Sequence, residues 1–191
     1  LYSSGTTGRP KGILHAHRAI RYAHVFARDL LGARPEHRFY SSSKLFFAYP
    51  LANAFFAGLR LGATVVLDPE WPDPARVAAM VERHEPHIFF SVPTLYRRLV
   101  DAGVRFRGVH AAVSAGEACP PALARDWQAM TGVPLVNGYG TTETLSLVLY
   151  RTPEMDAACP TPLTEIHPEQ LTSGELETWR LWFSHPAVAL G

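Results

Sequence analysis

The chain has 191 residues, of which 47% are hydrophobic and 18% charged, the composition of a soluble globular protein large enough for one sizeable core. Its formal net charge of +1 gives no electrostatic reason to bind nucleic acid or an anionic membrane surface. No apolar run has the roughly 18 residues of a membrane span, and the widely spaced Cys119 and Cys159 fit neither a disulfide framework nor a zinc site, so a reducing cytoplasm is the expected location.

The first segment, Tyr2 to Gly12, is rich in glycine and hydroxyl side chains. Glycines let the backbone approach a ligand closely, hydroxyls add hydrogen-bond donors, and Lys11 supplies a compact charge that suits a phosphate oxygen. A flexible linker has a similar composition, but a linker does not require Pro-Lys-Gly after Thr-Thr-Gly. The G-x-x-x-x-G-K-[ST] pattern is not matched. The segment is therefore interpreted as a cradle for a polyphosphate.

The next segment predicts an amphipathic helix over residues 16–31, because apolar side chains recur there at i, i+3 and i+4 and Gly32 supplies a stop. His15, His17 and His24 lie on or beside this helix. A metal cluster at these histidines is one interpretation, but histidines on a helix surface are commoner. They are therefore assigned no metal.

Helix and strand patterns then alternate. Residues 45–67 are almost uncharged and predict a buried helix over 51–61 and a strand over 63–67. The later segments are a helix capped by Asp73, a strand over 88–90, a helix over 94–100, a strand over 109–113, a helix over 120–131 and a strand over 134–136. This alternation predicts an α/β fold with a parallel sheet flanked by helices.

Ligands of parallel sheets bind where loops leave the carboxyl ends of the strands, which here means after Ser91, Ser114 and Asn137. The loop from Ser114 to Ala118 consists mostly of small residues, as a flat ligand lying against the backbone would require. A plain strand-to-helix turn explains this loop equally well.

The loop from Asn137 to Thr144 carries a more specific pattern. Two glycines flank Tyr139, which can stack on a base, and the following hydroxyls can contact phosphate. Glu143 is a hard oxygen ligand of the kind that Mg²⁺ prefers. A surface turn explains the glycines but not the combination of aromatic, hydroxyl and carboxylate groups.

The cradle and these two loops resemble, in order and spacing, three motifs of the adenylate-forming (AMP-dependent synthetase/ligase) enzymes, which include acyl- and aryl-CoA ligases, luciferases and peptide-synthetase adenylation domains. The resemblance implies part of the large N-terminal α/β domain of such an enzyme, with ATP, Mg²⁺ and CoA as ligands. It implies catalytic roles for Thr6, Lys11 and Glu143, with Glu143 holding the metal. The nucleotide contacts that it implies are Ser3, Ser4, Gly5, Thr6, Thr7, Gly8, Lys11, Gly116, Glu117, Ala118, Asn137, Gly138, Tyr139, Gly140, Thr141 and Thr142.

Residues 41–67 indicate which class of acid the protein takes. They contain no Asp or Glu that could pair with the ammonium group of an amino acid. Phe46, Phe47 and Tyr49 provide an apolar wall and Ala48 leaves room for an aromatic ring, although simple core packing is the alternative. This string also resembles benzoate- and 4-hydroxybenzoate-CoA ligases, which implies a small aryl carboxylic acid. The substrate contacts so implied are Phe47, Ala48, Tyr49, Ala115, Gly116 and Gly140.

The resemblance is firm over residues 1–150, interpreted as the nucleotide- and acid-binding core. It thins over residues 151–191, interpreted as the incomplete start of a β-rich subdomain. It implies that N- and C-terminal portions of the same enzyme, including a lid with a catalytic lysine, lie outside this chain, which alone is expected to be inactive. A truncated, non-catalytic nucleotide-binding or interaction domain is the alternative, and a kinase-like phosphotransferase ranks last for want of a catalytic-loop Asp signature.

Overall fold

The computed structural model describes residues 1–3, 9–173 and 176–190. Within them, the helices are α1 (Ala23–Leu31), α2 (Ala48–Pro50), α3 (Ala57–Leu61), α4 (Pro74–His84), α5 (Pro93–Asp101) and α6 (Pro121–Thr131). The strands are β1 (Tyr2–Ser3), β2 (Lys11–Gly12), β3 (Arg38–Ser41), β4 (Thr64–Val66), β5 (Ile88–Ser91), β6 (Ala111–Ser114), β7 (Leu135–Tyr139), β8 (Leu149–Arg151), β9 (Cys159–Pro160), β10 (Glu165–Ser173) and β11 (Leu176–Ser184).

A seven-stranded sheet with the order β4-β3-β5-β6-β7-β8-β9 forms the centre of the fold. The strands from β4 to β7 are parallel, and β8 and β9 continue the sheet antiparallel. This confirms the predicted α/β fold, with two antiparallel strands added. In the register of the sheet, Ser91 pairs with Ser114 and Ser114 with Asn137. The three predicted loops therefore begin side by side.

Both faces of the sheet are buried under helices. The alternation along β5 sends Phe89 to a cluster with α4, α5 and α6, where Tyr96 and Trp127 are fully buried. Ile88 and Phe90 point to the opposite cluster, which includes α1 and α3. Strands buried on both faces read as continuous apolar runs, which is why this segment could be recognised as a buried strand.

Several helix ends follow the predicted capping chemistry. Asp73 caps α4, its carboxylate accepting the Arg76 N–H at 2.8 Å, and Pro74 occupies the first turn. Gly32 ends α1 with φ +64°. The predicted start of that helix at residue 16 is wrong: a 3-10 turn covers His17–Arg21, and Ala19 is its buried residue. One buried side chain gives this stretch too little packing to hold a regular α-helix.

Two other predicted boundaries change in the structure. The helix predicted over 51–61 begins at Ala48 and includes a π-helical stretch, Leu51–Phe56, a form often found near functional sites. The strand predicted to end at residue 136 extends to Tyr139 and pairs with β8. Gly138 permits this pairing, because a Cβ there would overlap the Leu147 side chain.

Beyond β9 the chain forms a separate two-stranded antiparallel hairpin of β10 and β11, with Glu165 paired to Ser184. The domain boundary near residue 150 stays a prediction. In the described part of the chain, no helix combines the length and apolar character that a membrane crossing requires.

Candidate active site

A cavity of about 720 Å³ opens at the carboxyl ends of the parallel strands. It is bounded by the segments that follow β3, β5, β6 and β7. Its lining is mostly apolar and includes Phe47, Ala48, Tyr49, Val92, Leu95, Ala115, Leu145 and Leu147. A mainly apolar concavity with a few placed polar groups is the usual form of a small-molecule site.

Phe47, Ala48 and Tyr49, predicted as substrate contacts, line one wall of this cavity. The Tyr49 hydroxyl donates to the Val113 carbonyl oxygen at 2.7 Å, and burial raises the pKa of Tyr49 well above its ordinary value. The hydroxyl therefore stays protonated and anchors the aromatic ring to β6. Phe46 packs on Phe47 with ring centroids 4.5 Å apart and is not among the cavity-lining residues.

A buried polar pair that the sequence patterns did not reveal also lines the cavity. Ser146 Oγ donates to Asn53 Oδ1 at 3.0 Å, and Asn53 Nδ2 donates to the Tyr49 carbonyl oxygen at 3.0 Å. Asn53 is 0% exposed and Ser146 5%, so each needs its partner. The pair joins the π-helical stretch to the loop after β7. Its only sequence signal is an amide side chain within an otherwise apolar helix.

The loop after β6 lines the opposite side through Ala115, Gly116 and Glu117. Gly116 has φ +90°, a conformation that favours glycine. Glu117 Oε2 accepts both the Thr94 N–H at 3.1 Å and the Thr94 hydroxyl at 2.6 Å. The Glu117 carboxylate is thus bonded to α5, while Ala118 is exposed and outside the cavity lining.

The loop after β7 contributes residues 140–143 to the cavity. A Cβ at Gly140 would lie 2.6 Å from the Ser146 carbonyl oxygen, so only glycine allows this close approach. The Thr141 N–H donates to Thr144 Oγ1 at 2.9 Å, and that hydroxyl donates to the Ser146 carbonyl oxygen at 2.9 Å. These bonds hold the loop in shape.

Glu143 lies at the edge of the cavity with its side chain exposed. Its carboxylate has no ion pair among the described residues, and these residues contain no group of three or more His, Cys, Asp or Glu placed to hold a metal. A metal at Glu143 would complete its coordination with ligand oxygens and water. Mg²⁺ commonly binds in this way, through one or two carboxylates and substrate phosphates.

The comparisons with known proteins agree with this geometry. The family model for AMP-binding enzymes matches residues 1–186. The chain belongs to the AMP-binding enzyme family.

Relatives of this AMP-binding enzyme act on aromatic acids according to their names. The chain is 45% identical over 157 residues to the benzoate–CoA ligase of Thauera aromatica, covering 78% of this chain and 29% of the relative. It is 43% identical over 153 residues to the 3-hydroxybenzoate–CoA ligase of Aromatoleum sp. (strain CIB), again covering 78% and 29%. A crystal structure of a benzoate CoA ligase from Burkholderia xenovorans LB400 matches with TM-score 0.84 at 30% identity, covering 100% of this chain and 40% of that one. The chain thus spans less than a third of these curated relatives.

The glycine-rich cradle of this AMP-binding enzyme falls largely outside the described residues, which exclude Ser4, Gly5, Thr6, Thr7 and Gly8. Its two flanks pair with each other, Ser3 opposite Lys11. Lys11 is exposed and is not among the residues that line the cavity.

The segment after the cradle is held on the loop after β7, a contact that sequence reasoning missed. The His15 Nε2–H donates to the Thr142 carbonyl oxygen at 2.9 Å, which assigns the ring proton to Nε2. The Leu190 N–H donates to the Leu14 carbonyl oxygen at 2.8 Å and the Ala189 N–H to that of Glu143 at 2.8 Å. The segment that follows the cradle is therefore bonded to the loop that carries Glu143.

Asn137, Gly138 and Tyr139, predicted as nucleotide contacts, lie on β7. Tyr139 is half exposed, with its ring 6.2 Å from that of Phe183. Asn137 Oδ1 is buried without a hydrogen-bond partner among the described residues. Asn137 is not among the residues that line the cavity.

Proposed function

We propose that the protein to which this chain belongs uses Mg-ATP to activate a small aryl carboxylic acid as its acyl-adenylate, then transfers the acyl group to CoA. The observation that carries the proposal is the joint lining of one apolar cavity by Phe47, Ala48 and Tyr49 and by the loops after β6 and β7. The aryl-acid CoA ligases among its relatives support this proposal.

The acid binds against the wall of Phe47 and Tyr49. Ala48 is a small buried side chain between them, which leaves room for a flat ring. Across the cavity, Ala115, Gly116 and Gly140 present backbone and small side chains, so a planar substrate fits between the two sides. Residues 41–67 contain no carboxylate, and an α-amino acid would leave its ammonium group unpaired there.

The nucleotide binds along the strand ends. Tyr139 offers an exposed ring for stacking on the base, and Asn137, on the same strand, is placed against the base or sugar. Small residues let the nucleotide lie close to the backbone; these are Gly116, Ala118, Gly138 and Gly140. The hydroxyls of Thr141 and Thr142 donate to phosphate oxygens.

The phosphates and metal are held by Glu143 on one side and the cradle on the other. Glu143 supplies a hard carboxylate oxygen, and Mg²⁺, when bound, neutralises charge on the phosphates. Lys11 and the hydroxyls of Ser3, Ser4, Thr6 and Thr7 contact the β- and γ-phosphates, where Gly5 and Gly8 let the backbone approach closely. The bond from His15, in the segment that follows the cradle, to the Glu143 loop supports the view that the two sets of groups act on one ligand.

The chemistry requires positioning more than proton transfer. An aryl carboxylate is already ionised at neutral pH, so it attacks the α-phosphorus without a general base, and pyrophosphate leaves with the bonding electron pair. The chain's contribution is to orient the two reactants and to stabilise charge on the leaving group.

The test is ATP–pyrophosphate exchange by the full-length protein with benzoate, hydroxybenzoates, cinnamate, α-amino acids and long-chain fatty acids. We expect exchange with the benzoates and with cinnamate. Exchange with amino acids or fatty acids but not with benzoates would contradict the proposal.

A further inference from the structure

The N-terminus of α5 receives its capping acceptor from a distant loop. Its own N-cap residue, Val92, makes no side-chain capping bond. Glu117 Oε2 instead accepts the Thr94 N–H at 3.1 Å and the Thr94 hydroxyl at 2.6 Å. A carboxylate at this position satisfies an N–H that the helix cannot satisfy itself and interacts favourably with the helix dipole. By contrast, Asp73 caps α4 within its own segment.

The bonded loops lie in contact with each other at one corner of the cavity. A Cβ built on Gly116 would lie 3.8 Å from Val92 Cγ1. Gly116 and Val92 both line the cavity, with Leu95 and Ala115 beside them. A shift of one loop against the other would therefore change the shape of the cavity at this corner.

Few hydrogen bonds fix the two loops against each other beyond the strands, where the Tyr96 hydroxyl of α5 also donates to the Val113 carbonyl oxygen of β6 at 3.0 Å. The β5–β6 ladder ends at the pair Ser91–Ser114, and one more backbone bond follows, from the Ala115 N–H to the Ser91 carbonyl oxygen at 3.3 Å. Beyond it, the bonds from Thr94 to Glu117 are the hydrogen bonds that join the two loops within the described part of the chain.

We propose that Glu117 is a positioning residue whose bonds to Thr94 set the width of the acid pocket, so that single-ring aryl acids are selected over two-ring acids. The inference rests on the proposed function, since it takes the acid to bind against Gly116, on the loop that Glu117 bonds to α5. Glu117 acts here through Thr94 and the backbone of Gly116, and not by touching the reacting carboxylate.

The experiment compares kcat/KM for benzoate and for 2-naphthoate in pyrophosphate exchange by the full-length protein. Glu117→Ala should lower the benzoate-to-naphthoate ratio about tenfold, the size expected for a lost charge-assisted hydrogen bond in an exposed setting. The change should appear mainly in KM for the acids. Thr94→Val, which keeps the N–H donor, should have a smaller effect, and Thr94→Ser, which keeps both donors, should preserve the ratio.

The matched control removes a different contact of α5, its ion pair with α6. Arg97 of this helix contacts Asp126 of α6 at 2.7 Å, outside the cavity lining. Asp126→Asn removes that ion pair and should leave the ratio unchanged. A loss of folded protein lowers both rates together, so it cannot imitate a change in their ratio.

A second measurement is independent of the acid. Glu117→Ala should speed hydrogen–deuterium exchange at the Thr94 amide in the ligand-free protein, whereas Asp126→Asn should not. An unchanged ratio in Glu117→Ala, or an equal change in Asp126→Asn, overturns the inference while leaving the proposed function intact. If the unmodified protein activates no aryl acid, the proposed function fails and the selectivity role fails with it.

Discussion

The polar side chains at the two ends of the parallel sheet differ in whether they have hydrogen-bond partners. At the carboxyl end, Ser91, Ser114 and Asn137 stand side by side in the register. Ser114 Oγ and Asn137 Oδ1 are buried without partners among the described residues. The loops that follow these strands line the cavity, whereas Ser114 and Asn137 themselves do not.

At the amino end, three histidines each immediately precede a strand: His37 before β3, His87 before β5 and His110 before β6. The ring centroid of His37 lies 5.0 Å from that of His87 and 4.5 Å from that of His110. The centroids of His87 and His110 are 6.2 Å apart. His37 Nδ1 accepts the Arg34 N–H at 3.2 Å and His87 Nδ1 accepts the Arg38 N–H at 3.0 Å. These rings satisfy local backbone groups and pack on one another. The comparison shows that stacked rings close the amino end of the sheet, whereas a cavity lies beyond its carboxyl end.

The largest expected difference between the two ends of the sheet is in the effect of a glycine-to-alanine substitution on pyrophosphate exchange. Gly140→Ala places a Cβ 2.6 Å from the Ser146 carbonyl oxygen, and the resulting shift of the loop should lower the rate of pyrophosphate exchange by about a hundredfold, the upper end of an overpacking penalty. Gly108, near the amino end of β6, has φ +77°, but a Cβ added there would meet no atom within 4 Å, so Gly108→Ala should lower stability without changing nucleotide affinity. Equal rates for the two variants would contradict the contrast.

Lys11→Ala should weaken Mg-ATP binding by the full-length protein about ten- to a hundredfold, because a charge-assisted phosphate contact contributes roughly 1.5–3 kcal/mol. Titration calorimetry measures the affinity. Arg83→Ala is the control, since Arg83 is an exposed cation of α4 outside the cavity lining. Unchanged affinity in Lys11→Ala would remove Lys11 from the phosphate site.

Glu143→Gln should make nucleotide binding less dependent on Mg²⁺, with a loss of affinity of about tenfold at saturating metal, because a charged oxygen ligand is replaced by a neutral one. Glu154→Gln, at an exposed carboxylate outside the cavity lining, provides the control. If Glu143→Gln binds Mg-ATP like the unmodified protein, Glu143 is only a surface carboxylate.

The sequence revealed the strands and the loops at their carboxyl ends because burial leaves a periodic pattern and ligand loops have an unusual composition. The Asp73 cap was also readable, since donor and acceptor lie three residues apart. The bond from Thr94 to Glu117 and the pair Asn53–Ser146 were not predicted, because their partners are 23 and 93 residues apart. Periodicity reports which side chains are buried, but it does not identify the partner of a buried polar group.

Tyr49→Phe tests whether the acid wall depends on its anchor to the sheet. The variant keeps the ring and removes the bond to the Val113 carbonyl oxygen, leaving that acceptor with the Tyr96 hydroxyl, which donates to it at 3.0 Å. A net loss of about 1 kcal/mol is expected, seen as a KM for benzoate raised about fivefold with kcat nearly unchanged. A KM equal to that of the unmodified protein would show that packing alone fixes the ring.

The smallest expected effect is a pH dependence of stability from the amino end of the sheet. The pKa of His37 is lowered mainly by burial and secondly by the neighbouring histidines. The pKa of His87 is lowered mainly by burial and secondly by the charge of Arg38. Burial and Arg34 lower the pKa of His110. Glu36 and Glu85 oppose these shifts only in part. Each ring is therefore harder to protonate in the folded protein than in the unfolded chain.

The sign follows from linkage. Between the lowered folded pKa and the unfolded value of about 6.5, the unfolded chain binds more protons, so stability is complete above that value and falls as the pH drops below it. His87→Gln keeps an acceptor for the Arg38 N–H and should reduce the fall in thermal midpoint between about pH 7.5 and about pH 5.5, which brackets that value. His17→Gln, at an exposed residue, should leave the slope unchanged. Identical slopes for His87→Gln and the unmodified protein would show that the stacked rings do not oppose protonation, and the amino end would then be closed by packing alone.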